Sequence, residues 1–462
     1  MRCCNFKVGI CVVLLLPMIY SALFENVILP VSDLIIGGSI ASKLSEYRRM
    51  QWYSRDELLR VQRNRLHNLL HYAAATVPFY TGISVDRNGD ACEEIRKFPV
   101  MRKATIKRNL NALITTDREK LLSSFSSGSS GEQGVVYYSK DELSTERAIQ
   151  ILWWEWAGYK FGQATYQTGI TPKRGLVKSM KDFLLRTTYI SAYDLQEKRV
   201  LEKLEQIRKA RHIKHLMGYA SSLYVFARTA QKHNIRDIRF VSIVSWGDKM
   251  FPAFRRAIEQ QFHTRVFDTY GCTEGCMIAA QCERLSYHIM TPQVYVEVLD
   301  DKGDPVQPGH FGKVVVTRLD NYSMPLIRYY LGDLASLESS DRTCECGRKL
   351  PLLKQIIGRD TDIVRTRSGK HMIVHFFTGI FEFYPQIKQF RVVQETLDEI
   401  TIEYIPDVGF TLAITEKIHE QIKSLLLEDF PVRFIQVDRI DPTPSGKPQI
   451  VQSFLRSSTA VS

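Results

Sequence analysis

The chain has 462 residues, of which 44% are hydrophobic, 24% charged and 11% aromatic, with 26 Gly and 17 Pro. This excludes collagen-like, low-complexity and wholly disordered chains, and at roughly 150 residues per domain the length allows about three units. Lys and Arg outnumber Asp and Glu by 62 to 50, but the cations are spread among acids and no long basic run marks a nucleic-acid arm, so a basic solvated surface and no nucleic-acid partner are expected.

In chain order, Arg2 and Lys7 precede an apolar stretch from Val8 to Phe24 that is interrupted by Pro17 and closed by Glu25. That is the layout of a signal sequence or short anchor, and a core-docking helix fits the same run. Asp56 to Ala73 carries Leu58, Leu59, Leu66, Leu69, Leu70 and Ala73 on one face and reads as an amphipathic packing helix. The Ser/Gly-rich stretch from Ser123 to Gly134 breaks that rhythm, and the alternating Val135 to Tyr138 behind it reads as a strand.

The middle of the chain predicts strands at Ile238 to Val244 and Val266 to Phe267 around a helix with Phe254, Ala257, Ile258 and Phe262, which is layered α/β structure. Val294, Val296 and Val298, then Val314 and Val316, alternate as half-buried antiparallel strands. Past Arg359 the order is strand (Ile400 to Ile405), helix (Thr415 to Glu428, with Ile418, Ile422, Leu425 and Leu426 inward) and strand (Phe434 to Ile440). This predicts a small α+β unit of about a hundred residues. The nine cysteines are too few for a disulfide scaffold, and an odd number favours a reducing compartment.

Five segments carry residues suited to chemistry. The Ser/Gly stretch offers amide and hydroxyl donors that suit an anion such as a polyphosphate, and on composition alone a flexible linker is the commoner meaning. It is not a Walker loop, because Gly131 is followed by Glu132 and Gln133. Asp268-Thr269-Tyr270-Gly271-Cys272-Thr273-Glu274-Gly275 follows a predicted strand and combines a ring, a glycine, a hydroxyl and a carboxylate able to hold Mg²⁺. An ordinary strand-to-helix turn is its bland alternative. Asp333, after Gly332, can accept two hydroxyl hydrogen bonds, or sit in a turn. Gly358-Arg359-Asp360-Thr361-Asp362 stands at a composition shift suited to a hinge. Lys447, in Pro444-Ser445-Gly446-Lys447, supplies a mobile point cation.

In this order the five segments resemble the core motifs of the adenylate-forming superfamily of acyl-coenzyme A synthetases, luciferases and peptide-synthetase adenylation domains. The narrower resemblance is to the phenylacetate–coenzyme A ligase family and the capsular-polysaccharide-associated CapK-like proteins, through Ala74-Ala75-Thr76-Val77-Pro78-Phe79-Tyr80, Trp156-Ala157-Gly158-Tyr159 and Leu184 to Ala192. It covers about Phe24 to the Lys447 region. The implied fold is α/β, with a large multi-subdomain N-terminal adenylate-forming domain (residues 25–358, layered α/β with a distorted β-barrel part) and a small α+β C-terminal lid domain (residues 359–462). Residues 1–24 form an apolar leader or anchor outside it.

The resemblance implies that Ser126, Ser127, Gly128, Ser129, Ser130 and Gly131 hold the β- and γ-phosphates of ATP. Tyr270 and Gly271 would border the adenine, Thr273 the α-phosphate, and Glu274 would hold Mg²⁺. Asp333 would bind the ribose, Arg359 the nucleotide, and Lys447 would bridge the substrate carboxylate and α-phosphate. The implied reaction activates a carboxylic acid to an acyl-adenylate, releases pyrophosphate and transfers the acyl group to coenzyme A. Alternatives are an acyltransferase with a sugar or amine acceptor in surface polysaccharide biosynthesis, and a nucleotide-binding homologue without turnover. Gln133 stands where the family has proline, a change that ATP binding survives, whereas Thr361 at the hinge position and Arg367-Ser368-Gly369-Lys370-His371 after it depart from the family pattern and bear on the thiol step. Trp246-Gly247-Asp248 replaces a Ser-Gly-Glu. The acyl pocket is expected around Trp153, Trp154, Trp156 and Val244 to Trp246.

Cys282, His288, Cys344 and Cys346 are four soft ligands that can converge as a structural Cys₃His zinc site, and family members show a similar set. Free cysteines near the core are the equally weighted alternative, and Cys272 and Cys276 are expected to pack. A cytoplasmic location is expected, with peripheral membrane association through the N-terminus open.

Overall fold

Apolar residues recurring at three- and four-residue spacing make the N-terminal part of the chain helical. In the computed structural model these helices are α1 (Ile19–Ile36), α2 (Ile40–Met50), α3 (Arg55–Thr76) and α4 (Lys140–Trp156). The residues described are 19–126, 134–169, 176–191, 195–210, 214–359, 363–368, 371–381, 383–384, 386–426, 429–441 and 450–455. Ser54 with Glu57 and Ser139 with Glu142 form reciprocal capping boxes that start α3 and α4, satisfying amides that a helix start leaves without partners. Leu58, Leu66, Leu69, Leu70 and Ala73 of α3 are fully buried, each leucine removing apolar surface worth roughly 1.5–3 kcal/mol from water.

Between α3 and α4, β1 (Leu122–Ser126) and β2 (Gly134–Tyr138) pair antiparallel, Ser126 opposite Gly134. The expected strand behind the Ser/Gly stretch is therefore present, but Ser123 to Ser126 and Gly134, expected in a loop, are themselves strand residues because they pair across β1 and β2. Residues 127–133 lie outside the described residues.

A mixed sheet organises the rest of the large domain. Its parallel half is built from β3 (Ala164–Gly169), β4 (Thr187–Ser191), β5 (Lys214–Tyr219), β6 (Ser242–Trp246) and β7 (Val266–Gly271). The helices interleaved with these strands are α5 (Leu176–Leu184), α6 (Glu197–Lys209), α7 (Ala220–Lys232) and α8 (Pro252–Phe262). Its antiparallel half is β8 (Met277–Gln281), β9 (Tyr287–Ile289), β10 (Val294–Leu299), β11 (Gly312–Arg318), β12 (Tyr329–Leu337) and β13 (Leu352–Arg359). The order across the sheet is β10-β11-β12-β13-β9-β8-β7-β6-β5-β3-β4. β7 pairs parallel with β6 and antiparallel with β8, so the sheet changes character at that strand. The first of the strands expected between residues 238 and 244 begins only at Ser242; Ile238 and Phe240 are buried in the approach to it.

The small α+β domain contains β14 (Ile363–Arg365), β15 (His371–Ile373), α9 (Val374–Phe381), β16 (Ile387–Gln394), β17 (Ile400–Pro406), α10 (Leu412–Leu426), β18 (Val432–Gln436) and β19 (Val451–Ser453). Its main sheet runs β18-β17-β16-β19. Ile418, Ile422 and Leu426 are buried under it as their spacing predicts, whereas Leu425 faces solvent. The last predicted strand lies earlier than expected, at Val432–Gln436.

Candidate active site

Ligands meet open α/β sheets outside the carboxyl ends of the strands, and β7 carries its candidate residues at that end. The Tyr270 to Gly275 loop leaves from that point. Tyr270 is the last-but-one residue of β7, and its hydroxyl donates to Asp333 Oδ2 at 2.8 Å. Asp333 lies in β12, directly opposite Arg359 of β13. The turn offered as an alternative for Asp333 is therefore replaced by a strand, in which Gly332 at φ +83° kinks the backbone with nothing within 4 Å of its absent side chain. Three of the five segments, separated by long stretches of chain, thus meet at one place: Tyr270, Asp333 and the backbone of Arg359.

Glu274 is buried, and Tyr329 of β12 donates to its Oε1 at 2.8 Å. Burial and this carboxylate push the Tyr329 phenol well above its ordinary range, so it stays a donor. Thr273 and Gly271 are exposed beside it. A buried carboxylate with one oxygen held by a phenol is a hard oxygen donor of the kind Mg²⁺ takes, and the acceptor on Asp333 suits hydroxyl groups. The described residues therefore fit a magnesium nucleotide in chemistry. Gly275 follows at φ +82°, and a Cβ there would lie 1.9 Å from Nη1 of the fully buried Arg318, so the loop closes onto that guanidinium only with glycine. Arg318 is itself held by Asp320 at 3.0 Å and by the Glu142 carbonyl at 2.6 Å.

Ser126 ends β1. Ser127, Gly128, Ser129, Ser130, Gly131, Lys447 and the hinge residues Asp360, Thr361 and Asp362 lie outside the described residues, as does the side chain of Arg359.

Several residues at the site have partners that the sequence does not announce. Asp268 is buried and accepts from Tyr287 at 2.5 Å and from Ser245; burial pushes its carboxyl up to about 6 against these two donors. Lys249 donates to the Ile357 carbonyl just before Gly358 and Arg359. Asp248, the departure from Ser-Gly-Glu, accepts from the Ala220 and Ser221 amides and so caps α7. No local pattern announces any of these, because each partner comes from a distant strand or helix.

The expected acyl pocket is only partly assembled. Trp154 and Trp246 face each other with ring centroids 6.2 Å apart, but Trp153 and Trp156 turn into the core, with relative exposures of 2% and 5%. Trp156 instead donates to Gln51 and packs against Arg348 and His288.

That second cluster holds the four soft ligands. Ligand atoms of Cys282, His288, Cys344 and Cys346 all lie within 4.8 Å of one another. Cys282 Sγ is 3.6 Å from Cys344 Sγ, and Cys346 Sγ is 3.3 Å from His288 Nε2. A tetrahedral ion with metal–sulfur bonds of about 2.3 Å has edges of roughly 3.8 Å, so the set fits one ion and is too open for a disulfide. Burial, with Arg348 adding to it, pushes His288 down to about 4, which keeps the imidazole in its neutral, ligating form. The Arg284 amide approaches Cys282 Sγ at 3.3 Å, and Arg348 is stacked between Trp52 and Trp156. Cys276 is fully buried in the core, and Cys272 packs beside the same cluster.

Comparison with known proteins agrees with this geometry. Residues 194–321 match the family described as AMP-binding enzyme, and residues 364–453 match the CapK C-terminal domain. The chain is 27% identical over 332 residues to a phenylacetate-coenzyme A ligase of Thermus thermophilus, covering 68% of this chain and 73% of that protein. It is 24% identical over 405 residues to Protein CapK of Staphylococcus aureus, covering 85% and 88%. Among solved structures, 2-hydroxyisobutyryl-CoA ligase in the postadenylation state superposes with a TM-score of 0.70 at 18% identity, covering 88% of this chain and 91% of that one. Residues 194–321 thus resemble the AMP-binding enzymes and residues 364–453 the CapK C-terminal domain, and the chain as a whole is similar to phenylacetate–coenzyme A ligases and to CapK.

Proposed function

We propose that this protein is an ATP-dependent acid–thiol ligase: it joins a carboxylic acid to AMP with release of pyrophosphate and passes the acyl group to coenzyme A. The observation that carries this reading is the meeting of Tyr270, Asp333 and Arg359 at the carboxyl end of β7, with Glu274 one turn away. A carboxylate attacking an α-phosphorus brings negative charges together, so the barrier falls when cationic groups stand where charge develops. In this reading Ser126 to Gly131 hold the outer phosphates, Tyr270 and Gly271 border the adenine, and Asp333 takes the ribose hydroxyls. Arg359 contacts the nucleotide, Thr273 orients the α-phosphate, and Lys447 brings its cation to the reacting oxygens from the unit spanning 359–462. Mg²⁺, held through Glu274, supplies charge neutralisation on the phosphates. Zinc on Cys282, His288, Cys344 and Cys346 has no open position and ties the β8–β9 turn to the loop before β13. ATP and coenzyme A place the reaction in the cytoplasm.

A second reading, with a sugar or amine acceptor in capsular polysaccharide biosynthesis, draws support from the CapK C-terminal match over residues 364–453 and the departures at Arg367 to His371. A panel of aryl and alkyl carboxylic acids, assayed for pyrophosphate release with and without coenzyme A, tests both. Acid-dependent release with thioester formation supports the first; acyl-adenylate that accumulates in the presence of coenzyme A favours the second; no release with any acid removes both. Lys447→Ala should lower adenylation at least a hundredfold, about 2.7 kcal/mol at 1.36 kcal/mol per decade, and near-normal turnover would take Lys447 out of the mechanism.

A further inference from the structure

Helix α1 has its polarity reversed relative to an ordinary surface helix, which turns apolar residues to the core and charges to water. Its charged residues face the protein. Asp33 is buried and accepts from the Ala41 amide at 2.8 Å, Glu25 pairs with Arg48, and Tyr20 donates to the Leu184 carbonyl at 2.5 Å. Phe24 packs on Phe161 with centroids 5.0 Å apart. The opposite face presents Ile19, Leu23, Val27, Val31, Leu34 and Ile35, with Leu34 85% and Ile35 77% exposed. This is a continuous stripe at helical spacing. Asn26, the polar residue on that face, donates to the Ala22 carbonyl of its own helix. Phe183 near the end of α5, next to the Leu184 that Tyr20 holds, is a further apolar side chain, 82% exposed.

Scattered exposed apolar residues need no explanation, whereas a contiguous patch marks a partner surface. Two features identify the partner as lipid. The sequence before α1, Val8 to Met18, is itself uniformly apolar and is preceded by Arg2 and Lys7. Cations also flank the patch: Lys140 donates to the Ile36 carbonyl, Arg186 lies over the Tyr20 ring, and Lys160 is exposed next to the buried Phe161. Apolar face inward to the acyl chains and Lys/Arg beside the headgroups is the pattern of an in-plane interfacial helix. The helix cannot be surrounded by lipid, since its inner face is fixed to the protein by Phe24, Leu29 and Asp33.

We propose that α1, with Phe183, is a monotopic membrane platform that seats the protein on an anionic bilayer with the helix axis in the plane of the interface. It stands independently of the nucleotide site. The test uses the full chain, sedimented with vesicles of phosphatidylcholine alone and of phosphatidylcholine mixed with phosphatidylglycerol. The wild type should bind the anionic vesicles more tightly, and the double variant Leu34→Asp, Ile35→Asp should lower its partition roughly tenfold or more. Phe183→Asp, on a different element, should weaken it as well, and Leu34→Phe, Ile35→Phe should retain it. All three alter exposed side chains, so thermal melting should match the wild type. Wild-type protein that stays in the supernatant with both vesicles would overturn the proposal, as would Asp variants that bind undiminished. A lipid-free dimer in analytical ultracentrifugation that the Leu34, Ile35 double variant dissolves would overturn it too, by making a second copy the occupant.

Discussion

Asp268 of β7, Glu274 in the turn after β7 and Asp333 of β12 are each held by a tyrosine hydroxyl: Tyr287, Tyr329 and Tyr270 respectively. The phenols fix the carboxylates without neutralising them, which leaves charge for a cation or hydroxyl groups. Removing a donor to a buried charged group costs about 1.5–3 kcal/mol, so Tyr329→Phe should cut acid-dependent pyrophosphate release roughly tenfold and raise the Mg²⁺ needed for half-maximal rate. An unchanged magnesium profile would separate Glu274 from the metal. Asp268 makes a different prediction. Burial holds its carboxyl at about 6 in the folded protein against an ordinary 3.8, so the folded state binds this proton more tightly than the unfolded chain. The stabilising contribution is therefore full below about pH 4, is lost as pH rises toward 6, and is level above that. Two pH units at 1.36 kcal/mol each amount to about 3 kcal/mol. Urea unfolding should show the stability of wild type relative to Asp268→Asn falling by that amount between pH 4 and 7; parallel curves would contradict the assignment.

At the scale of elements, what could be read from the sequence is what is local. The Ser54–Glu57 and Ser139–Glu142 caps, the apolar face of α3 and the alternating valines of β10 and β11 are spelled out within a few residues. The place of Asp333 was not legible, because a Gly-Asp pair has turn chemistry, and only pairing with β13 holds it in a strand that kinks at Gly332 and shifts register after Leu334. Tyr329 and Glu274 are 55 residues apart, and no periodicity links them. The tryptophans mislead for a related reason: Trp153 and Trp156 share a helix with Trp154 but point to the core, where Trp156 braces the cysteine cluster. That cluster ties β8 and β9 to the loop before β13, so a bound ion acts as a cross-link. Elemental analysis should find one zinc per chain, and Cys344→Ser should lose it and lower the melting temperature by several degrees, at about 2–4 °C per kcal/mol for a unit of this size. A metal-free protein of undiminished stability would mean that the four ligands merely pack.

Across the whole molecule, the parallel and antiparallel halves of one sheet meet at β7, and the segments that the sequence scatters between residues 268 and 359 gather there. The apolar stripe of α1 belongs to the same scale, since its meaning depends on the body against which the helix turns its charges. The roles proposed for the Ser/Gly segment and Lys447 were legible only through the family resemblance, because neither segment has a periodicity or a local partner in the sequence that points to the other. The direct measurement is calorimetric titration of the full chain with ATP and Mg²⁺. One nucleotide should bind per chain, and Asp333→Ala should lower the affinity by roughly tenfold to a hundredfold, from the loss of hydrogen bonds to a charged acceptor at about 1.5–3 kcal/mol. A wild type that binds no adenosine nucleotide, or an Asp333→Ala that binds as tightly, would contradict the proposed nucleotide site.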